Sequence, residues 1–149
     1  MYKRQKEYID KYFAKYNGVR EFMDNTKKFA KQAGHVSTLL GRKIHVANIT
    51  HNNFQIRSAA ERTAINAPIQ GTAADILKVA MINIKDWIDK EDAPIKMIMQ
   101  VHDELVFEVS KNFVDDANKM ISEQMIKCFT LDVPLVVDIG VGNNWDKAH

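Results

Sequence analysis

The stretch Met97-Ile98-Met99-Gln100-Val101-His102-Asp103-Glu104-Leu105-Val106-Phe107-Glu108-Val109 constrains the fold more than any other in the chain. An apolar run and an alternating run of β-forming residues flank three consecutive ionisable side chains, which predicts two antiparallel strands joined by a very tight turn. Tight turns usually draw on Gly, Asn or Pro, whose backbones adopt the required angles cheaply. This one uses His102, Asp103 and Glu104 instead. Two adjacent carboxylates repel one another, so the tip is either simply solvated or screened by a cation or basic group. Spacing alone leaves both open.

Helical periodicity dominates elsewhere. Residues 3–16 place Tyr8, Ile9, Tyr12, Phe13 and Tyr16 on one face, and a second helix from about Val19 to Ala33 turns Phe22, Met23, Phe29 and Ala30 inward. Asn17-Gly18 separates the two, Gly34 stops the second, and both aromatic stripes are expected in the core. Residues 35–39 and 42–46 bracket Leu40-Gly41 as a short hairpin, and residues 47–53 form a polar loop. His35, His45 and His51 lack metal-ligand spacing and are read as surface histidines.

From about Phe54 the helical pattern returns and runs to Ala67, where Pro68 is expected to break or kink it. Gln70-Gly71-Thr72 then opens a long helix to about Ile88, with Ala73, Ile76, Leu77, Ala80, Met81, Ile84, Trp87 and Ile88 as its apolar stripe. A helix from about Phe113 to Phe129 follows the Met97–Val109 hairpin, with Asp115 and Asp116 in its first turn, where carboxylates suit the helix dipole. Residues 134–141 read as a final strand. The resulting class is α+β, an antiparallel-rich sheet packed with several helices.

The formal charge of +2 conceals an asymmetry. Residues 1–50 carry 11 Lys or Arg against 4 Asp or Glu, whereas residues 51–149 carry 10 against 15. A basic face suits a polyanion and a local acid cluster suits a metal, although a solvated Lys-rich helix pair explains the first equally well. No apolar run approaches the roughly 20 residues of a membrane span, and the N-terminus lacks an apolar signal core. A cytoplasmic or organelle-matrix location is expected. The lone Cys128 excludes an internal disulfide and is expected to be a buried thiol.

Arg62, Asn66 and Gln70 recur at intervals of four, so a helix stacks them on one face. Their donors suit the acceptors shared by all base pairs in the minor groove, but spacing does not distinguish that use from a solvated polar stripe. In order, Arg62 to Asp75 (RTAINAPIQGTAAD), Gln100 to Glu108 (QVHDELVFE) and Asn144 to His149 (NWDKAH) closely resemble the C-terminal part of bacterial family A DNA polymerases. The resemblance runs from about Glu7 to His149 and includes Tyr12-Phe13, Gly18-Val19 and Gly41-Arg42.

The resemblance implies an incomplete polymerase right hand. Fingers-side helices and a hairpin would lie in about residues 1–67, and a palm in about 68–149, its sheet made of the Met97–Val109 hairpin plus the C-terminal strand. Asp103 matches the second catalytic, metal-binding aspartate, and Glu104 the neighbouring carboxylate that supports the metals. Hard carboxylate oxygens suit the Mg²⁺ of a two-metal site. Arg62, Asn66 and Gln70 match residues that contact primer-template DNA, and His102 matches one beside the primer end. The implied activity is template-directed nucleotidyl transfer in DNA replication and repair, with deoxynucleoside triphosphates as co-substrates of the complete enzyme.

Departures from the family pattern bear on activity. The family's other metal-binding aspartate and its nucleotide-binding helix find no match here, and Asp75 and Asp138 are better read as structural or solvated. Lys43-Ile44-His45, Ala47-Asn48 and Asn143 also differ from the residues usual at those places. The chain is therefore expected to be a fragment that does not polymerise alone. The alternatives are a non-catalytic primer-template duplex-binding module and one half of a split polymerase. An exposed palm sheet edge is expected to invite association.

Overall fold

A computed structural model describes residues 2–148, so the match at His149 lies outside the described residues. The elements are α1 (Tyr2–Lys15), α2 (Asn17–Ala33), β1 (His35–Ser37), β2 (Lys43–His45), α3 (Phe54–Glu91), β3 (Ile95–Val101), β4 (Glu104–Val109), a 3₁₀ turn (Lys111–Phe113), α4 (Val114–Lys127) and α5 (Trp145–Ala148). They are mixed helix and antiparallel strand, as an α+β chain requires. No described helix is long and apolar enough to cross a membrane. The chain forms two compact units, one ending at Thr72 and the other beginning at Ala73.

In the first unit, α2 ends at Gly34, whose left-handed backbone (φ 73°) lets its N–H bond the Ala30 carbonyl. The chain then enters the β1–β2 hairpin, in register His35 to His45, Val36 to Ile44 and Ser37 to Lys43. Ala30, Val36, Val46, Ile49, Ala60 and Ala64 form the core, with Ile44 and Ala67 at its edge. Its alanines let backbones approach closely. Asn53 opens α3 by accepting the Gln55 N–H at 2.8 Å, the usual work of a polar N-cap. A Lys31–Glu61 ion pair at 2.6 Å joins α2 to α3, and the Lys31 ammonium holds the Glu61 carboxyl below its ordinary range.

The second unit packs Ile84 and Ile88 of α3 against Ile95 of β3 and Ala117 and Ile121 of α4. Leu105, Phe107 and Val109 project from one face of β4 into this core, and Trp87 stacks on Phe113 with ring centres 6.5 Å apart. β3 pairs with β4 from Ile95–Val109 to Val101–Glu104, interrupted by a bulge at Ile98, which falls between the Met97–Phe107 and Met99–Val106 pairs. The expected strands and tight turn are thus present. Asn144 caps α5 by accepting the Lys147 N–H, and α5 lies so close to Gly140 that a Cβ there would fall 1.6 Å from the Ala148 carbonyl oxygen.

Several expectations are corrected. Pro68 does not end a helix, because α3 runs unbroken through it for 38 residues. Proline removes one backbone donor, and the burial of Ala60 and Ala64 before it and Ala80 and Ile84 after it holds the helix together across that gap. Residues 134–141 form no strand: Val136 is 81% exposed, and the segment pairs with no described strand, without which β-forming residues make only an extended segment. The aromatic stripe of α1 is not core, since Tyr8 is 67% exposed and Ile9, Tyr12 and Tyr16 are about half exposed. No described element of its unit covers that face, and its rings pair along the helix instead, as Tyr12 and Phe13 do at 5.4 Å. Phe22 and Phe29 of α2 are likewise exposed. Gly18 lies inside α2 and terminates nothing. Cys128 is half-buried, and burial pushes its thiol pKa up.

Candidate functional site

In the second unit the ionisable tip occupies a two-residue turn. Val101 pairs with Glu104, leaving His102 and Asp103 as the central residues. Of these only His102 has a positive φ, 52°, the sign pattern of a type II′ turn, whose first central position glycine usually fills. Histidine tolerates the left-handed region better than most side chains, but at a cost of order 1 kcal/mol. The Gln100 amide closes the turn by donating to the His102 carbonyl.

This geometry leaves the Asp103 side chain exposed at the tip, while Glu104, first residue of β4, is half-buried. Pairing places Glu104 on the same sheet face as Met99, Val106 and Glu108, away from the core face of Leu105 and Phe107. The two carboxylates offer hard oxygen donors suited to Mg²⁺. They are two, whereas Mg²⁺ takes six ligands, and no group of three or more His, Cys, Asp or Glu among the described residues completes a metal cluster. Donor chemistry fits a magnesium ion; donor number fits part of a site. Asp75 is buried in α3 and Asp138 is exposed.

In the first unit, Arg62, Asn66 and Gln70 are all exposed on α3, and the unbroken helix keeps them along one face. Ser58 extends the polar row by one more turn and accepts from Arg62 Nη1 at 3.1 Å. These are the donors a protein uses on acceptors common to every base pair.

Next to Gln70 lies a set of contacts that sequence patterning missed. The turn between β1 and β2 is docked on α3: the Leu39 N–H donates to Thr72 Oγ1 at 3.0 Å, and Arg42 Nη2 donates to the Gly71 carbonyl at 3.0 Å. Thr72 Oγ1 donates in turn to the Pro68 carbonyl at 2.6 Å, while Thr38 Oγ1 accepts the Arg42 N–H at 3.1 Å. Gly71 is where the two elements touch. A Cβ there would lie 2.7 Å from both Ile44 Cδ1 and Thr38 Cγ2. The available signal was a Gly and a Thr, both poor helix formers, inside a helical pattern.

Comparison with known proteins places this geometry in a lineage. Residues 2–147 match the model of DNA polymerase family A. The chain is 49% identical over 147 residues to DNA polymerase I of Pseudomonas aeruginosa, covering 99% of this chain and 16% of that protein. It is 45% identical over 146 residues to DNA polymerase I of Geobacillus stearothermophilus, covering 98% and 17%. It therefore spans about a sixth of the length of these relatives. Among solved structures, the POL domain of Pol1 from M. smegmatis, in complex with DNA primer-template and dNTP, superposes with a TM-score of 0.93 at 41% identity, covering 99% of this chain and 26% of that one.

Proposed function

The chain belongs to DNA polymerase family A, and from that premise we propose that it supplies palm and fingers-side parts of a template-directed DNA polymerase. One observation carries the proposal: across a family match of nearly the whole chain, Asp103 stands exposed in a hairpin turn with Glu104 next to it at the start of β4. Asp103 would hold part of the coordination sphere of Mg²⁺, with Glu104 supporting it. The metal, when bound, would stabilise charge on the phosphoryl oxygens during nucleotidyl transfer.

Arg62, Asn66 and Gln70 would bind primer-template DNA through sequence-indifferent donors, and His102 would lie beside the primer end. Fingers-side helices and a hairpin would occupy about residues 1–67 and the palm about residues 68–149, a division near the one between the two compact units at Thr72–Ala73. Deoxynucleoside triphosphates would be substrates of an assembly larger than this chain, since two carboxylates do not position two metals.

The 149-residue chain alone is therefore expected to show no primer extension with Mg²⁺. Templated incorporation that Asp103→Ala abolishes would overturn that expectation. The exposed row on α3 favours one second reading, a duplex-binding module. Anisotropy of a labelled primer-template titrated with the chain tests it. Binding should weaken with salt, and replacing Arg62, Asn66 and Gln70 should weaken it further. Absence of binding at low salt would refute both the module and the DNA-contact roles. A split-polymerase role would appear as extension restored on mixing with an upstream family fragment. β3 and β4 form a two-stranded sheet with an open edge on either side, so association is expected in sedimentation at high concentration.

A further inference from the structure

Gln70 occupies the weakest part of its helix. Pro68 donates no backbone hydrogen bond, so the Ala64 carbonyl loses its partner four residues on. Gly71 and Thr72 follow, both poor helix formers, so three of the five residues from Pro68 to Thr72 oppose the helix that carries Gln70. A side chain meant to meet DNA at a defined height needs a backbone that does not fray beneath it.

The β1–β2 turn supplies the missing restraint from outside the helix. Its two hydrogen bonds reach the two residues that directly follow Gln70, through the Gly71 carbonyl and the Thr72 hydroxyl. That hydroxyl also donates a hydrogen bond to the Pro68 carbonyl, so one side chain ties the turn, the proline and the residues around Gln70 together. The turn is itself stiffened by Thr38, which accepts the Arg42 N–H and packs on Gly71. We propose that the β1–β2 turn is a clamp that positions Gln70 on primer-template DNA, with Thr72 as its central positioning residue and Arg42 as its second tie.

The clamp rests on the reading of Gln70 as a DNA-contact residue, and the test separates the two. A fluorescent primer-template duplex is titrated with the full chain at fixed low salt, comparing Gln70→Ala, Thr72→Val, Thr72→Ser and the Gln70→Ala/Thr72→Val double variant, each checked for helical content by circular dichroism. Gln70→Ala is expected to weaken binding about fivefold, as losing one hydrogen bond does. Thr72→Val should cost a similar factor with the salt slope unchanged, because no phosphate contact is removed. Thr72→Ser should restore affinity to within about twofold, since the hydroxyl remains. The double variant should be no weaker than either single one, because both act through one contact.

If Gln70→Ala binds as the parent does, the DNA-contact role is wrong and the clamp falls with it. Should Gln70→Ala weaken binding while Thr72→Val does not, or should the two losses multiply, the clamp alone is overturned. Should Thr72→Val fail to fold, Arg42→Lys takes its place: it keeps the charge, loses the fork that reaches Gly71, and must show the same coupling to Gln70.

Discussion

Replacing Gly71 by Ala sets two effects of known size against each other. Within a helix, Ala is favoured over Gly by about 0.8–1.0 kcal/mol, so the substitution would stabilise an isolated α3. Here the new Cβ meets Ile44 Cδ1 and Thr38 Cγ2 at 2.7 Å and Arg42 Nη2 at 3.3 Å. Carbon pairs rest at about 3.5–4.0 Å, so both carbons must withdraw by roughly 1 Å. Ile44 can swing its terminal methyl aside. Thr38 is buried and β-branched, and turning it breaks the bond that its Oγ1 accepts from the Arg42 N–H. Overpacking of this kind costs about 1–3 kcal/mol, which leaves a net loss of order 1 kcal/mol. Gly18, also helical but with no atom within 4 Å of its missing Cβ, is the control: Gly18→Ala should gain up to about 1 kcal/mol. Urea unfolding followed by circular dichroism reads both, with Gly71→Ala lowering the midpoint by about 0.5 M for a slope near 2 kcal/mol/M. A Gly71→Ala midpoint at or above the parent's would refute the close packing of the β1–β2 turn on α3.

Two further outcomes follow from the same kind of reasoning. His102→Gly removes the left-handed strain at the hairpin tip but admits more backbone freedom in the unfolded chain, so a net gain below about 1 kcal/mol is expected, read as a melting temperature higher by a few degrees; a lower one would show that the histidine side chain stabilises the turn. Glu61 has a pKa below its ordinary value because of Lys31, so its ion pair contributes stability above about pH 4.3 and loses it as pH falls below that. Both side chains are partly exposed, which limits the effect to about 1 kcal/mol or less, and Glu61→Gln should reduce the drop in urea midpoint between pH 7 and pH 3.5. An undiminished drop would mean that other carboxylates set the acid sensitivity.

Local periodicity made the helices, both hairpins and the acidic tip legible, because each depends on neighbours within a few residues. The polar row on α3 was legible too, since spacing of four survives whether or not Pro68 interrupts it. What failed depended on partners distant in the chain. Residues 134–141 have the composition of a strand, but a strand is defined by the ladder beside it. The tyrosines of α1 have the spacing of a core stripe, but burial needs an opposing surface. The clamp on α3 was hidden for the same reason: Thr38 and Thr72 are 34 residues apart, joined through a bond from the Leu39 N–H. Gly71 looked like the start of a helix because its purpose, room for Ile44 and Thr38, lies on another element.

The bulge at Ile98 leaves β3 paired with β4 on both sides but shifts the register by one residue, and it redirects the strand as well. Bulges bend and twist the strand that carries them. From Ile98 to the turn the hairpin extends about 10 Å, at roughly 3.4 Å per residue, and acts as a lever arm with Ile98 at its pivot. Over that length a bend of about 10° displaces the tip by about 2 Å, the length of one magnesium–oxygen bond. The position of the Asp103 carboxylate therefore depends on a backbone irregularity five residues away.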